Sequence, residues 1–179
     1  MNWITIESEK MFDSPYVTVK KDMVELPDGA IIEDFYTIKI QDSALILAVT
    51  IDNQILLKKE YRYACGCDVI ECPAGMVEDG ENPRVTAERE LYEETGYSSE
   101  NWLYLGPTLE STSKLTNKMH IFLAWDCKYV NSQNLDTNEH LELMKVSLGE
   151  AVDMVMSGEI NANSSAHAIL KTARLLGLR

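Results

Sequence analysis

Hydrophobic and polar positions along the chain predict a series of strands interrupted by helices. Runs of β-branched residues and alternating stretches indicate strands, whereas apolar residues recurring every three or four positions indicate helices. The predicted strands cover 16–25, 30–39, 44–50, 54–61, 69–72, 101–110, 119–127 and 140–147. The predicted helices cover 83–95, 148–157 and 165–176. Because this order is not a repeat of strand–helix–strand units, we expect an α/β (α+β) fold with mixed strands.

Capping signals define where the helices begin and end. Asn82 is an N-cap residue followed by Pro83, a residue that favours the first helical position. Gly96 follows the last helical residue and accepts the left-handed conformation that ends a helix. The caps predicted for the other two helices are Ser147 and either Asn163 or Ser164.

The first 40 residues are predicted to form a separate N-terminal β unit. The strands 16–25 and 30–39 flank Leu26-Pro-Asp-Gly29, a turn in which proline presets φ and glycine accepts positive φ. Two strands joined by such a turn run antiparallel. We therefore expect an antiparallel N-terminal unit over residues 1–40 and the main domain over residues 41–179.

Composition excludes several classes of protein. The chain has 179 residues, is 45% hydrophobic and 25% charged, and carries a net charge of −13. No apolar run approaches the roughly 18 residues of a membrane span, and the N-terminus lacks the regions of a signal peptide. We therefore expect a cytoplasmic protein without a membrane partner. The negative charge disfavours nucleic-acid binding, which depends on Lys and Arg neutralising phosphates.

A single segment, Gly75 to Tyr97, concentrates acidic residues without a stabilising reason. Acidic residues occupy positions 78, 79, 81, 88, 90, 93 and 94, against arginines at 84 and 89. Glu93 and Glu94 lie three and four residues after Glu90 on a helix, where like charges repel by roughly 0.2–0.5 kcal/mol per pair. Hard divalent cations bind such oxygen clusters. The segment therefore predicts a magnesium site, with a solvated acidic helix face as the alternative.

The same segment has a specific spacing, Gly-x5-Glu-x7-Arg-Glu-aliphatic-x-Glu-Glu-x-Gly, between Gly75 and Gly96. At average residue usage this pattern arises by chance with a frequency on the order of 10⁻⁹ per start position. The chain thus resembles the Nudix hydrolase family, apart from Tyr97 where the family more often has an aliphatic residue. The resemblance implies a Nudix-type α/β/α sandwich with a mixed sheet. It also implies Mg²⁺ as cofactor, with Mn²⁺ as the alternative ion.

The resemblance gives the residues of this segment expected roles. Glu90, Glu93 and Glu94 are expected metal ligands, joined by the backbone carbonyl of Ala74. Arg89 lies four residues before Glu93 and is expected to orient it, because residues four apart are neighbours on a helix. Glu93 and Arg89 are therefore also counted among the catalytic residues.

A carboxylate base outside the helix is expected as well. Relatives in the family take it from a loop before the penultimate strand–helix unit. Glu139 is the first candidate there, followed by Glu142 and His140. Within the acidic segment, Glu81 either binds metal or braces the loop.

Further segments resemble the branch of ADP-ribose and nucleotide-sugar pyrophosphatases. They are 26–29, 60–63, 71–75 and 141–160. The resemblance implies that Arg62 and Glu71 contact substrate, with a mutual ion pair as the alternative, and that the N-terminal unit forms a homodimer. The stretch 110–120 departs from this branch because it lacks a Ser-Pro-Gly-like sequence.

These features together predict a Mg²⁺-dependent pyrophosphatase. Its substrate is expected to be a nucleoside diphosphate sugar such as ADP-ribose, split into a nucleoside monophosphate and a sugar phosphate. The alternatives are a dinucleotide polyphosphate or a modified nucleoside triphosphate as substrate, and a non-catalytic module that binds a nucleotide sugar. The base and the sugar stay open.

Overall fold

The computed structural model of the chain describes residues 2–135 and 140–177. The strands are β1 (Ile4–Asp13), β2 (Thr18–Glu25), β3 (Ile31–Lys39), β4 (Ser43–Thr50), β5 (Gln54–Arg62), β6 (Cys67–Glu71), β7 (Ala74–Met76), β8 (Tyr97–Ser98), β9 (Asn101–Thr108), β10 (Met119–Tyr129) and β11 (Leu141–Ser147). The helices are α1 (Pro83–Thr95), α2 (Leu148–Ser157) and α3 (Asn163–Leu175). Each predicted strand and helix is present, and β1, β7 and β8 are additional. None of these helices has the length and apolarity needed to cross a membrane.

The first compact unit contains a three-stranded antiparallel sheet in the order β1-β2-β3. The turn between β2 and β3 closes at Gly29, which has a φ of 82°. Residues up to Asp42 form this unit together with Leu109–Lys118. Ile38 forms a β-bridge with Leu115, which ties this second segment to β3. The boundary predicted at residue 40 had assigned the segment to the main domain, and the predicted division stays a prediction.

The second unit combines Ser43–Thr108 with the described residues from Met119 onward. Its mixed sheet has the order β11-β5-β4-β10-β8, while β6 pairs with β5, β7 with β4 and β9 with β10. β4 and β10 run parallel, and the other pairs are antiparallel. Pairing of β7 with β4 brings the first glycine of the acidic segment to the centre of this sheet.

Helices cover both faces of this mixed sheet. Side chains of a strand alternate between faces, and β4 is buried along most of its length, as expected for a strand covered on both sides. One core contains Ala44, Ile46, Ala48 and Leu56 with Ala87 and Leu91 of α1. The other contains Leu45, Leu47, Ile55 and Leu57 with Ala151, Ala168 and Ile169 of α2 and α3. The predicted α/β/α sandwich is therefore confirmed.

Helix α1 begins and ends at the residues predicted from the sequence. The Asn82 side chain accepts a hydrogen bond from the backbone N–H of Arg84 at 2.9 Å. Gly96 has a φ of 73° and donates its N–H to the carbonyl of Tyr92 at 2.8 Å. The buried residues of the helix form pairs four apart: Thr86, Ala87, Glu90, Leu91, Glu94 and Thr95. The apolar packing of this face therefore carries two glutamates inward.

The predicted cap of α3 was wrong. The helix begins after Ala162, and no side chain forms a cap hydrogen bond there. Instead of capping, the buried Ser164 places its hydroxyl 3.4 Å from the hydroxyl of Thr108. The predicted cap of α2 is confirmed, because the Ser147 hydroxyl accepts an N–H of the first helical turn at 3.1 Å.

Candidate active site

Two carboxylates of the acidic segment are buried on the inner face of α1. Glu90 is 7% exposed and Glu94 is 2% exposed. They are four residues apart and therefore lie one above the other on the helix. Glu93 lies at the margin of this face and is about one-third exposed, at 33% of its side chain. The structure thus brings the three predicted ligands onto one helix, two of them inside the protein.

Gly75 provides space for the Glu90 carboxylate. It lies in β7, opposite Ala44 of β4, and it is not among the residues with positive φ. A Cβ atom at this position would overlap the carboxylate group of Glu90. A close approach of side chain to backbone therefore explains the glycine.

The backbone of β7 also holds Glu94. The N–H of Ala74 donates to Glu94 Oε2 at 3.0 Å. Ala74 had been predicted to contribute its carbonyl to the metal, so the structure places two predicted ligand residues in direct contact. The strand and the helix that carry the acidic segment thus meet at these two residues.

Lys58 is the second partner of Glu94. Its ammonium group donates to Glu94 Oε1, and only 2% of each side chain is exposed. Lys58 Nζ also lies 3.4 Å from Glu60 Oε2 and 3.9 Å from Glu71 Oε1. Because an unpaired buried charge is strongly destabilising, the three carboxylates explain how this lysine is tolerated inside the protein.

Burial and charge act in opposite directions on this pair. Burial raises the pKa of Glu94 to about 7, although Lys58 favours the carboxylate. Burial alone lowers the pKa of Lys58, but the attraction and hydrogen bond of Glu94 together with the charge of Glu71 outweigh it and raise the pKa above its ordinary value. Because three carboxylates surround the ammonium group of Lys58, the contact with Glu94 is an ion pair.

Arg89 connects the other carboxylates of α1. Its Nη1 lies 2.7 Å from Glu90 Oε1 and 3.0 Å from Glu93 Oε2. Partial burial alone lowers the pKa of Arg89, but Glu90 and Glu93 outweigh it and raise the pKa. Nη2 donates to the carbonyl of Met76 at 3.4 Å. The arginine therefore holds two predicted ligands at once and fastens them to the last residue of β7.

Glu81 fastens the loop between β7 and α1. Its Oε2 accepts from the Thr86 hydroxyl at 2.7 Å and from the Glu78 N–H at 3.2 Å. The hydrogen bond from Thr86 is the main reason why the pKa of Glu81 is lowered. Two roles were predicted for Glu81, metal binding and bracing of the loop, and these contacts correspond to bracing of the loop.

Arg62 and Glu71 form an ion pair across neighbouring strands. Arg62 Nε donates to Glu71 Oε1 at 2.9 Å, and Nη2 contacts the same oxygen. Arg62 Nη2 also lies 3.3 Å from Glu60 Oε2. The side chain of Arg62 remains 40% exposed, so its guanidinium group is paired on one side and reachable from solvent.

Lys58 was not among the site residues predicted from the sequence, although its position in β5 indicated it. Side chains at even positions of β5 share one face, and Arg62 had been selected on that face. Lys58 lies on it too, and it joins the predicted metal ligand Glu94 to the predicted substrate residue Glu71. The alternation of β5 thus indicated Lys58, whereas its partner 36 residues away was not visible in the sequence.

Of the three candidate general bases, Glu142 and His140 are among the described residues. Glu139 lies outside the described residues. Glu142 pairs with Lys59 in the β11–β5 register, and directly opposed residues share a face of the sheet. Because Lys59 faces away from Lys58, Glu142 is not brought to the carboxylates of α1. His140 and Glu142 instead line a cavity of about 470 Å³ together with Lys59.

The donor set suits a hard divalent cation. The carboxylates of α1 offer oxygen atoms, which Mg²⁺ and Mn²⁺ prefer. Within residues 2–135 and 140–177, no group of three His, Cys, Asp or Glu side chains is arranged as a ready metal site. Lys58 and Arg89 instead hold these carboxylates. The Glu94 carboxylate already binds one cation, the ammonium group of Lys58. Glu90, Glu93 and Glu94 therefore fit a metal ion.

Two sequence families match the chain in succession. Residues 3–38 match the family described as "Nucleoside diphosphate sugar hydrolase N-terminal domain". Residues 39–165 match the family described as "NUDIX domain". The second match contains the whole acidic segment, and the first covers most of the three-stranded sheet.

Two relatives and a solved structure extend the similarity. The chain is 32% identical over 166 residues to the "Methanol dehydrogenase activator" of Bacillus methanolicus, across 92% of this chain and 89% of that protein. The same values hold for the "ADP-ribose pyrophosphatase" of Bacillus subtilis (strain 168). The crystal structure of an ADP compounds hydrolase superposes with a TM-score of 0.83 at 19% identity, over 100% of this chain and 98% of that one. This last similarity supports the fold.

Proposed function

Because the chain belongs to the NUDIX domain family, we propose that it is a Mg²⁺-dependent hydrolase of nucleoside diphosphate sugars. Hydrolases of this family generally need a divalent metal ion. The proposed reaction adds water across the diphosphate and releases a nucleoside monophosphate and a sugar phosphate. ADP-ribose is the first candidate substrate, since a relative that is 32% identical is an ADP-ribose pyrophosphatase.

The observation that carries the proposal is the inward carboxylate face of α1. Glu90 fits against the bare backbone of Gly75, and Glu94 accepts the N–H of Ala74. Both glutamates are buried beside a cationic partner. Stability alone does not favour buried carboxylates on a helix. Phosphate chemistry gives them a role as ligands of a divalent cation.

Each proposed residue has a separate task. A bound divalent ion would neutralise the charge that develops on the phosphate oxygens and would lower the pKa of a water molecule. Glu90, Glu93 and Glu94 would hold it with the carbonyl of Ala74. Arg89 keeps Glu90 and Glu93 in position through contacts of 2.7 and 3.0 Å. Glu139 remains the proposed general base, on the family resemblance alone.

A hydrolysis screen tests the proposed function. Purified protein is incubated with Mg²⁺ and, separately, ADP-ribose, ADP-glucose, GDP-mannose, UDP-glucose, diadenosine polyphosphates and nucleoside triphosphates, and the products are quantified by anion-exchange chromatography. We expect the largest signal from one diphosphate sugar, and its loss on addition of a chelator. A signal confined to dinucleotides or triphosphates would contradict the substrate class. Silence throughout, from folded protein, would contradict the hydrolase proposal.

We further propose that Arg62 binds the substrate from its exposed side, with Glu71 holding it. We expect Arg62→Ala to raise KM about tenfold and to change kcat little, because a charge-assisted hydrogen bond contributes about 1.5–3 kcal/mol. Steady-state kinetics on the best substrate provide the measurement. Arg174→Ala is the matched control, since Arg174 is an exposed arginine at the end of α3. An unchanged KM in Arg62→Ala would remove Arg62 from the binding site.

We also propose that the chain forms a homodimer through its N-terminal unit. All residues of β1 are exposed, and the strand lies at the edge of its sheet. Its exposed apolar side chains are Ile4, Ile6, Met11 and Phe12. A long apolar edge strand invites pairing with another chain. Sedimentation velocity should therefore show a dimer, which Ile4→Glu weakens and Thr5→Glu, on the other side of the strand, leaves intact. A monomer at all concentrations would contradict the proposal.

A further inference from the structure

Lys58 places a fixed positive charge beside a carboxylate that is proposed to bind metal. Its side chain is 2% exposed, and its ammonium group is in contact with Glu94. The neighbouring positions Leu56 and Leu57 are fully buried apolar residues of β5. An apolar residue at position 58 would therefore continue the core, and packing does not require a lysine.

In the metal-free protein, the positive charge of Lys58 stabilises the buried carboxylate of Glu94. Glu94 is 2% exposed, and a buried carboxylate without a partner is strongly destabilising. Lys58 supplies one partner and the N–H of Ala74 supplies the other. Glu94 is thus held in a single orientation by the protein itself. Arg89 performs the same task for Glu90 and Glu93.

We propose that Lys58 is an internal cation of the metal site, which positions Glu94 in the metal-free protein and weakens the binding of divalent ions. The inference rests on the proposed function, because it takes Glu94 as a metal ligand. Lys58 is a positioning residue in this scheme, since it acts through Glu94.

The direction of the effect follows from charge. Glu90, Glu93 and Glu94 face the two cations Lys58 and Arg89. Removing the charge of Lys58 makes the site more negative without removing an oxygen donor. Electrostatic attraction in a buried site is stronger than at the surface, so a divalent ion should then bind more tightly.

Lys58→Gln tests this inference, because glutamine keeps a hydrogen-bond donor for Glu94 and loses the charge. Titration calorimetry with Mg²⁺ at about pH 8.5, where carboxylates are ionised, measures the affinity. We expect Lys58→Gln to bind Mg²⁺ about tenfold more tightly than the wild type. Lys58→Arg, which keeps the charge, should bind with an affinity close to the wild-type value.

Lys59→Gln is the matched control. It makes the same substitution on the next residue of β5, where the side chain is 43% exposed and lies 3.3 Å from Asp68. Its Mg²⁺ affinity should equal that of the wild type. Equal affinities of Lys58→Gln and Lys59→Gln, or weaker binding by Lys58→Gln, would overturn the inference.

If Lys58→Gln is too unstable for calorimetry, thermal unfolding provides a second measurement of Mg²⁺ binding. The melting temperature is recorded with and without Mg²⁺, because a ligand that binds only the folded state raises it. A larger rise in Lys58→Gln than in Lys59→Gln supports the inference, and an equal or smaller rise overturns it. Failure of the proposed function is a distinct outcome, in which the wild type neither binds Mg²⁺ nor hydrolyses a nucleotide.

Discussion

Glu94→Gln is expected to slow hydrolysis of the best substrate by at least about 10³-fold, which corresponds to about 4 kcal/mol of transition-state stabilisation. The amide keeps the size of the side chain and an oxygen that can accept from Ala74 or Lys58, so the surroundings retain their packing. The negative charge that would bind a divalent ion is lost. The measurement is kcat/KM over a range of Mg²⁺ concentrations, so that weakened metal binding is seen separately from slowed chemistry.

The fold should survive this substitution. Lys58 retains Glu60 at 3.4 Å and Glu71 at 3.9 Å as partners, so its ammonium group is not left alone. Glu88→Gln is the control, because it makes the same change on an exposed part of α1, where Glu88 pairs with Arg84 at 2.7 Å. We expect its activity to match the wild type. Activity of Glu94→Gln within about tenfold of the wild type would show that Glu94 is not a ligand.

The structure agrees with the sequence predictions wherever local chemistry determines an element. Helix α1 shows this most clearly, since Asn82 and Gly96 satisfy backbone groups of their own helix. The continuous apolar run of β4 was sufficient as well, because a strand covered on both faces is apolar at nearly every position. Helix α3 shows the limit of such reasoning. Ser164 resembles a capping residue, but its hydroxyl lies against Thr108, a neighbour that only the folded chain supplies.

The candidate site shows the same division between local and distant partners. The spacing of Glu90, Glu93 and Glu94 was sufficient to select them, because helical geometry relates them directly. Their cations differ in this respect. Arg89 precedes Glu93 by four residues, and its Nη1 lies 3.0 Å from Glu93 Oε2. Lys58 belongs to a strand far away in the chain, and its pairing with Glu94 depends on how α1 packs against the sheet.

Gly75→Ala is expected to have the second largest effect on activity, after Glu94→Gln. The added methyl group would overlap the Glu90 carboxylate, so Glu90 must move or β7 must shift relative to β4. Misplacement of a catalytic group by about 1 Å reduces the rate by about 10²-fold. We therefore expect kcat/KM to fall by at least that factor. Overpacking should also lower the free energy of unfolding by about 1–3 kcal/mol, measured by urea denaturation.

Two further variants determine whether steric overlap is the cause. Gly149→Ala adds the same methyl group in α2, where the nearest side-chain atom is the Ser147 hydroxyl at 4.0 Å. It should retain full activity and be stabilised by up to about 1 kcal/mol, because alanine favours the helix. Shortening the opposing side chain in Gly75→Ala/Glu90→Asp should recover stability without recovering activity, since the carboxylate is then withdrawn from the site. Wild-type activity in Gly75→Ala would contradict the close approach of Glu90 to the β7 backbone, and recovery of activity in the double variant would contradict the placement of Glu90 as a ligand.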